Sequence, residues 1–344
     1  MFKPKFKYTD RIVNNLTFIA ESNAVILNSP LIPKWEVTLR RDAILNSVHA
    51  STGIEGNSLT IEDVTALANG NDVIARDKDK LEVLNYLNAL KMIPDFAKID
   101  NFAMDDFLYL HKILTDGTID YPNASGNLRD RQVYVGSSDG SKVFVPPKTE
   151  KVEKLVLDFL KWFNLVDNIH LNPIIVAGLT HYEIVRIHPF IDGNGRIART
   201  MATLALYKQG FDLKRFFALD DYYDIDRPRY YAALRSVDPK TRDLTEWLNY
   251  FTDGVAFSMK AVREKVITLS KNVKNLKESG QIALNERQMA IVEKILSDGK
   301  ITNRDIQKMF SISDTMARKE TVKLEKLNVI KREGSGRNTH YILT

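Results

Sequence analysis

The chain has 344 residues, enough for two or three domains, and its 44% apolar and 27% charged content is that of a soluble globular protein. With zero cysteines it has no disulfide, thiolate metal site or cysteine nucleophile, which fits a reducing, cytoplasmic setting. No apolar run approaches membrane-spanning length, and the basic opening MFKPKFKYTD lacks the apolar stretch of a secretory signal, so no membrane partner is expected. The net charge of +5 is uneven: residues 261–344 carry 17 Lys and Arg against 10 Asp and Glu, and the first 260 carry 32 against 34. The basic character therefore sits in the C-terminal quarter, where a phosphate backbone is the natural partner.

Helical periodicity dominates the chain. Residues 36–50, EVTLRRDAILNSVHA, space Val37, Ile44, Leu45 and Val48 as one helix face. After a break at 56–57, Thr60 with Asp63 three residues on reads as a helix cap. Helices are also expected at 79–93 and 104–115. The stretch 124–147 differs: QVYV and KVFV alternate around a Gly/Ser turn and end in two prolines, the pattern of a β-hairpin. Residues 150–166 and 173–187 are strongly apolar-periodic and read as core helices. Further helices are expected from about 197 to 210, near 226–236 and over 241–275. Residues 275–283, NLKESGQIA, read as a linker. Beyond it come LNERQMAIVEKIL, with Met289, Ile291, Val292, Ile295 and Leu296 as its apolar face, then TNRDIQKMF capped by Thr302. A third helix begins at Ser313 or Asp314, and an alternating hairpin turns around Gly334 and Gly336. The fold class is mainly α.

The chemistry concentrates in 188–199, HPFIDGNGRIAR. Gly193 and Gly195 let backbone approach an anion closely, and the amides and dipole of a helix starting there favour a phosphate. Asn194 can add a side-chain amide donor. Arg196 and Arg199 lie three apart on that helix and point the same way, and two guanidiniums suit the outer phosphates of a nucleotide. Asp192, a lone carboxylate beside a polyphosphate, is a Mg²⁺ ligand of the usual kind. His188 can accept a hydroxyl proton near pH 7.

This stretch resembles the Fic family signature His-Pro-Phe-x-Asp/Glu-Gly-Asn-Gly-Arg-x-x-Arg at every specified position. The resemblance implies a Fic-type helical core at 101–275, behind an N-terminal helical region at 1–100. The implied activity is transfer of AMP from ATP to a Ser, Thr or Tyr hydroxyl of a target protein, itself included. His188 would be the base, Asp192 the Mg²⁺ ligand, Gly193, Asn194 and Gly195 the anion cradle, and Arg196 and Arg199 the holders of the β- and γ-phosphates. The hairpin, about 131–147, would be the flap that receives the target, with Val135 and Gly136 near the nucleotide. RPRYYAALRSVD (227–238) is similar to the family's nucleoside-contacting segment, with Tyr230 and Tyr231 as the aromatic pair; some relatives carry Asn where Asp238 stands. STGIEGN (51–57) resembles the family's inhibitory motif through Ser51, Glu55 and Gly56, which implies that Glu55 pairs with Arg199 and restrains transfer. In some relatives the same acid serves removal of AMP. Related proteins often dimerise, and a homodimer is open by the same analogy.

Residues 283–344 resemble a winged helix-turn-helix. Thr315, Arg318 and Lys319 would lie early on the recognition helix, and Lys331, Arg332 and Arg337 on the wing, facing the phosphates of duplex DNA. The competing reading of the whole chain is an ATP-sensing, DNA-binding transcriptional regulator that transfers nothing.

Overall fold

The computed structural model describes residues 1–344 apart from 30, 32, 122, 137–141, 166–170, 212–217 and 277–283. Its elements in order are α1 (Asp10–Asn28), α2 (Pro33–Ile54), α3 (Ile61–Ala68), α4 (Asp77–Ala97) and α5 (Met104–Thr115). A hairpin of β1 (Val135–Gly136) and β2 (Lys142–Phe144) follows. Then come α6 (Val152–Leu165), α7 (Pro173–Ile187), α8 (Asn194–Lys208), α9 (Asp220–Ile225), α10 (Arg227–Arg235) and α11 (Thr245–Leu276). The chain closes with α12 (Glu286–Asp298), α13 (Asn303–Phe310), α14 (Asp314–Lys326), β3 (Ile330–Glu333) and β4 (His340–Leu343).

The core is built around α7. Asn172 caps it, accepting from the Ile174 N–H, with Pro173 at its first position. Nearly every residue from Ile174 to Ile184 is buried, so the helix is enclosed on all sides rather than on one stripe. It packs along α8 and against α11 and α6, while α4 covers α8 and α2 lies against α4 and α9. The expected helices are present with ends shifted by a few residues, and the Thr60–Asp63 capping box forms as expected. Helix α1 was not expected. Its Asn14, Asn15, Thr17 and Asn23 give it low helix propensity, and it is held instead by burying Ile12, Ile19 and Ile26, seven residues apart, against α11. The hairpin pairs Val135 with Phe144 and Gly136 with Lys142 across a bulge; its turn lies outside the described residues, as does most of the expected linker.

The C-terminal elements form a second apolar cluster. Ile291, Val292 and Ile295 of α12 meet Ile306, Ala317, Leu324 and Tyr341. Asn285, Thr302 and Ser313 cap the three helices through their side chains. β3 and β4 pair antiparallel from Ile330↔Leu343 to Glu333↔His340, and Ile301 bridges to Tyr341 on the far side of β4. Helix α2 joins the two clusters. Its Val37 is buried with the C-terminal residues, while Ile54, at its other end, belongs to the main core.

Candidate active site

Helix α7 stops at Ile187 because His188 enters the left-handed region, at φ 50° and ψ 60°. A non-glycine residue holds that conformation only when its surroundings fix it. Here the His188 N–H bonds the Ile184 carbonyl at 2.9 Å, and the His188 carbonyl accepts from Arg129 Nε at 2.9 Å. The imidazole Nδ1 lies 3.4 Å from the Val185 carbonyl oxygen. A carbonyl can only accept, so this contact places the ring proton on Nδ1 and leaves the lone pair on Nε2. Burial is the main cause that lowers the His188 pKa to about 4; the Val185 carbonyl opposes it and the nearby Arg129 charge adds to it. The ring is therefore neutral at pH 7, as a base must be.

The loop that follows is clamped from beneath. Phe190 stacks on His111 with ring centroids 3.5 Å apart and planes 2° from parallel. The Gly126 N–H donates to His111 Nδ1 at 3.1 Å, so Nε2 carries the proton and donates to the Asp192 carbonyl at 2.9 Å. Burial keeps this second imidazole neutral as well, with a pKa of about 4. Asn194 closes a ring with Phe190: its Oδ1 accepts from the Phe190 N–H and its Nδ2 donates to the Phe190 carbonyl, both at 2.9 Å. One of the two side-chain N–H donors of Asn194 is thus committed to the loop, and the residue still offers its second N–H and its backbone. Gly193 sits at φ 78°, and a Cβ there would press within 2.7 Å of Thr115 Cγ2.

Helix α8 opens at this point. Its first amides have no carbonyl within the helix to meet. Arg196 and Arg199 are each only 2% exposed, an unusual depth for a cation. Arg196 Nε has no hydrogen-bond partner among the described residues, and the guanidinium makes only long contacts: 3.6 Å from Nη1 to Glu82 Oε1 and 3.5 Å from Nη2 to Asp192 Oδ2. It is a buried, under-paired donor set. Arg199 is the opposite. Its Nε donates to Ser51 Oγ at 2.6 Å, and its Nη2 to the Ser51 carbonyl at 3.0 Å and to Glu55 Oε1 at 2.7 Å, with Asp220 Oδ1 at 3.7 Å. Burial alone would pull the Arg199 pKa down. The Glu55 charge, with Tyr230, Tyr86 and Asp220, outweighs it, so the net direction is up.

Glu55 stands in the turn that ends α2, where the helix dipole disfavours an acid. Arg199 offsets that. The space for the carboxylate comes from Gly195, because a Cβ there would collide with Glu55 Oε1. Asn57 steadies the same turn: its Nδ2 donates to Glu82 Oε2 at 3.0 Å and to the Asp79 carbonyl at 3.0 Å. Glu82 thereby links the turn carrying Glu55 to Arg196.

Asp192 leaves 46% of its side chain exposed, with Oδ1 accepting from the Gly193 N–H at 2.6 Å. No group of three potential metal-ligating side chains exists among the described residues. A single half-exposed carboxylate fits a Mg²⁺ ion shared with phosphate oxygens and water, and does not fit a cage made by protein alone.

Of the other expected residues, Val135 is half-buried and Gly136 exposed, on a hairpin whose feet are tied to the His188 loop through Arg129. Tyr230 needs correction. It is 2% exposed, its ring stacks on Tyr223 at 4.6 Å and its hydroxyl meets His181 Nε2 at 2.9 Å, so it has no face to offer a nucleoside. Tyr231 is 39% exposed, and burial with the Glu55 charge raises its pKa, which sets it beside the same pocket. Asp238 caps a turn through the Lys240 and Thr241 N–H groups. At the C-terminus Thr315, Arg318 and Lys319 are exposed on α14. They line a surface depression with Val322, Lys323 and Lys326. Lys331 and Arg332 are exposed on β3, and the Arg337 side chain lies outside the described residues. Sequence reasoning missed His111, Glu82, Asn57, Asp220 and Arg129. Asn57 alone stood next to a motif, and the rest reach the site only through packing.

No helix among the described residues is long and apolar enough to cross a membrane. Over 206 residues the chain is 31% identical to a protein adenylyltransferase Fic of Nematostella vectensis, covering 56% of this chain and 45% of that protein. Over 277 residues it is 27% identical to the protein adenylyltransferase fic-1 of Caenorhabditis elegans, covering 77% of this chain and 49% of that one. It thus spans about half the length of the curated relatives it matches. Among solved structures, the crystal structure of a Fic family protein from Desulfovibrio desulfuricans superimposes with a TM-score of 0.66 at 25% identity, over 100% of this chain and 98% of that one. Residues 101–206, which include the whole 188–199 loop but neither Ser51 nor Glu55, match the Fic/DOC family.

Proposed function

We propose that this chain transfers AMP from ATP to a Ser, Thr or Tyr hydroxyl of a protein, and that Glu55 restrains the reaction. One observation carries this reading: two buried guanidiniums of α8 and a neutral imidazole, its Nε2 without a hydrogen-bond partner among the described residues, are gathered around the same two carboxylates, Asp192 and Glu55. The naming of its relatives as protein adenylyltransferases supports it.

The triphosphate lies over the α8 amides, with Arg196 and Arg199 on its outer phosphates. Asp192 would hold Mg²⁺, which would supply positive charge to neutralise the phosphates. His188 Nε2 takes the proton of the target hydroxyl, whose oxygen attacks the α-phosphorus. The bond from that phosphorus to the bridging oxygen breaks, and pyrophosphate leaves. The chain contributes alignment and fixed charge rather than covalent chemistry. The target's extended segment lies along the hairpin by strand addition.

Glu55 holds Arg199 at 2.7 Å and fills the room above Gly195 where a γ-phosphate would sit. Two like charges about 4 Å apart cost about 4 kcal/mol at an effective dielectric near 20, about a thousandfold in an equilibrium. In removal of AMP the same carboxylate would orient the attacking water. We assign the C-terminal unit as a winged helix that binds duplex DNA through α14 and the β3–β4 hairpin. Three helices followed by a hairpin, and the exposed Arg318, Lys319, Lys331 and Arg332, support this.

Incubation of the Glu55→Gly protein with Mg²⁺ and ATP labelled at the α-phosphate, followed by mass spectrometry, tests the reading. Addition of AMP to the protein or to a supplied lysate, lost in the double variant with His188→Ala, is the expected result. No addition in any variant leaves the ATP-sensing regulator as the better account.

A further inference from the structure

Arg129 lies outside the 188–199 loop, 59 residues before His188, and is only 3% exposed. No carboxylate pairs with it among the described residues. Its donors go instead to oxygens of the main chain and one hydroxyl. Nε donates to the His188 carbonyl at 2.9 Å. Nη1 donates to the Arg131 carbonyl at 3.0 Å and to Thr149 Oγ1 at 2.9 Å, and Nη2 donates to the Pro147 carbonyl. Its own N–H reaches the Pro189 carbonyl at 2.9 Å. Arg131 and Pro147 are the two feet of the hairpin. One rigid, planar fork therefore holds the carbonyl of the left-handed His188 and both feet of the flap. Burying a guanidinium without a counter-charge is costly, and the arrangement persists because every arm is used.

We infer that Arg129 is a positioning residue that sets the distance between the His188 imidazole and the flap, and so governs transfer to a protein hydroxyl while leaving nucleotide binding alone. The inference rests on the proposed transferase reading. The hydroxyl to be modified arrives on the flap, and its proton leaves to His188. A shift of either against the other separates reactants that must sit within about 3–3.5 Å. The phosphates are held by α8, which Arg129 does not touch. Lysine cannot substitute, because an ammonium offers donors from one point and cannot span a carbonyl on the loop and two on the flap.

The test uses the full chain in the Glu55→Gly background, comparing Arg129 with Arg129→Lys and Arg129→Met. Four quantities are measured: the melting temperature, the Kd for ATP with Mg²⁺ by calorimetry, the rate of AMP self-incorporation, and the pH dependence of that rate. Both variants are expected to bind ATP as the parent does and to lose about 10²-fold in rate, the scale of a 1 Å misplacement. Arg129 also lowers the His188 pKa through its charge. The acid limb should therefore move to higher pH in Arg129→Met, which loses the charge, and stay in place in Arg129→Lys, which keeps it. A parental rate in Arg129→Lys overturns the inference. So does a loss of ATP binding and melting temperature in step with rate, which marks a merely structural residue. If the Glu55→Gly parent itself incorporates no AMP, the transferase reading fails first, and that outcome is distinct from either.

Discussion

The loop at 188–199 and helix α14 both gather cations, and they handle the charge in opposite ways. Arg196 and Arg199 are 2% exposed; Glu55 and Ser51 answer Arg199 at short range with Asp220 behind them, while Asp192 and Glu82 reach Arg196 only at 3.5 and 3.6 Å. Arg318 leaves 69% of its side chain in water, with one i,i+4 carboxylate, Asp314, at 2.7 Å. A buried cation cannot wait for water to solvate it, so the protein must supply a stand-in anion until a ligand comes. An exposed cation waits in solvent with salt ions around it and exchanges them for phosphate when the partner arrives. The first arrangement suits a small polyanion held in one geometry. The second suits a long polyanion read along its backbone.

If the buried site is chemical and not only electrostatic, the largest effect comes from the base. His188→Ala, in the Glu55→Gly background, should lower AMP incorporation by about 10²–10⁴-fold while ATP binding persists, since general-base contributions are of that size. Equal loss of binding and rate would mean that the imidazole serves only to shape the loop. Next is the stand-in anion itself. Glu55→Gly should raise incorporation and tighten ATP binding by up to about 10³-fold, the scale of removing one like charge about 4 Å from a phosphate. An unchanged Kd for ATP would show that Glu55 is an ordinary helix-end acid, and the contrast between the two regions would lose its best support.

What could be read from the chain follows the same division. The 188–199 loop was legible because its parts are adjacent: a helix stop, an acid, two glycines and two arginines at i,i+3 carry their geometry with them. The Ser51–Glu55 pair was legible only through its resemblance to a known motif, since nothing local says that a turn 144 residues away meets Arg199. Arg129, His111 and Glu82 were not legible at all, because each acts through a contact made by tertiary packing. Tyr230 was misread for a related reason. Whether a tyrosine on an amphipathic helix faces in or out depends on its partners, and Tyr223 and His181 take this one inward. The fold was legible where apolar periodicity or a cap was strong, as in α5, α7 and the Thr302 box, and illegible in α1, which packing against α11 holds in place despite its composition.

The buried half of the comparison also makes a statement about protons. His188 and His111 are both held to a pKa of about 4 by burial. Two imidazoles should therefore titrate about 2.5 pH units below the ordinary value of about 6.5 when their ring protons are followed by NMR. As the pH falls through about 4 the rings take a proton and the base is lost, so transfer should fail there and hold above it. Titration of the His188 signal near 6.5 would place the imidazole in solvent and move the acid limb of transfer up to that pH.

The exposed half gives the smallest and most graded effect. The logarithm of the association constant of the full chain for duplex DNA should fall linearly with log salt, with a slope of about −0.9 for each phosphate met. Nucleotide binding at the enclosed loop should depend less on salt, because its charges are shielded from the solution. Lys319→Ala should weaken DNA binding a few-fold for every sequence alike and reduce the slope by about 1. The same change should leave AMP incorporation by the Glu55→Gly protein where it was, since Lys319 is exposed on α14, a helix that packs into the second apolar cluster through Ala317 and Leu324. A slope that does not move would take α14 out of the phosphate contacts. The cations of the C-terminal quarter would then be a solvated surface, and the two regions would differ in more than the way they wait for an anion.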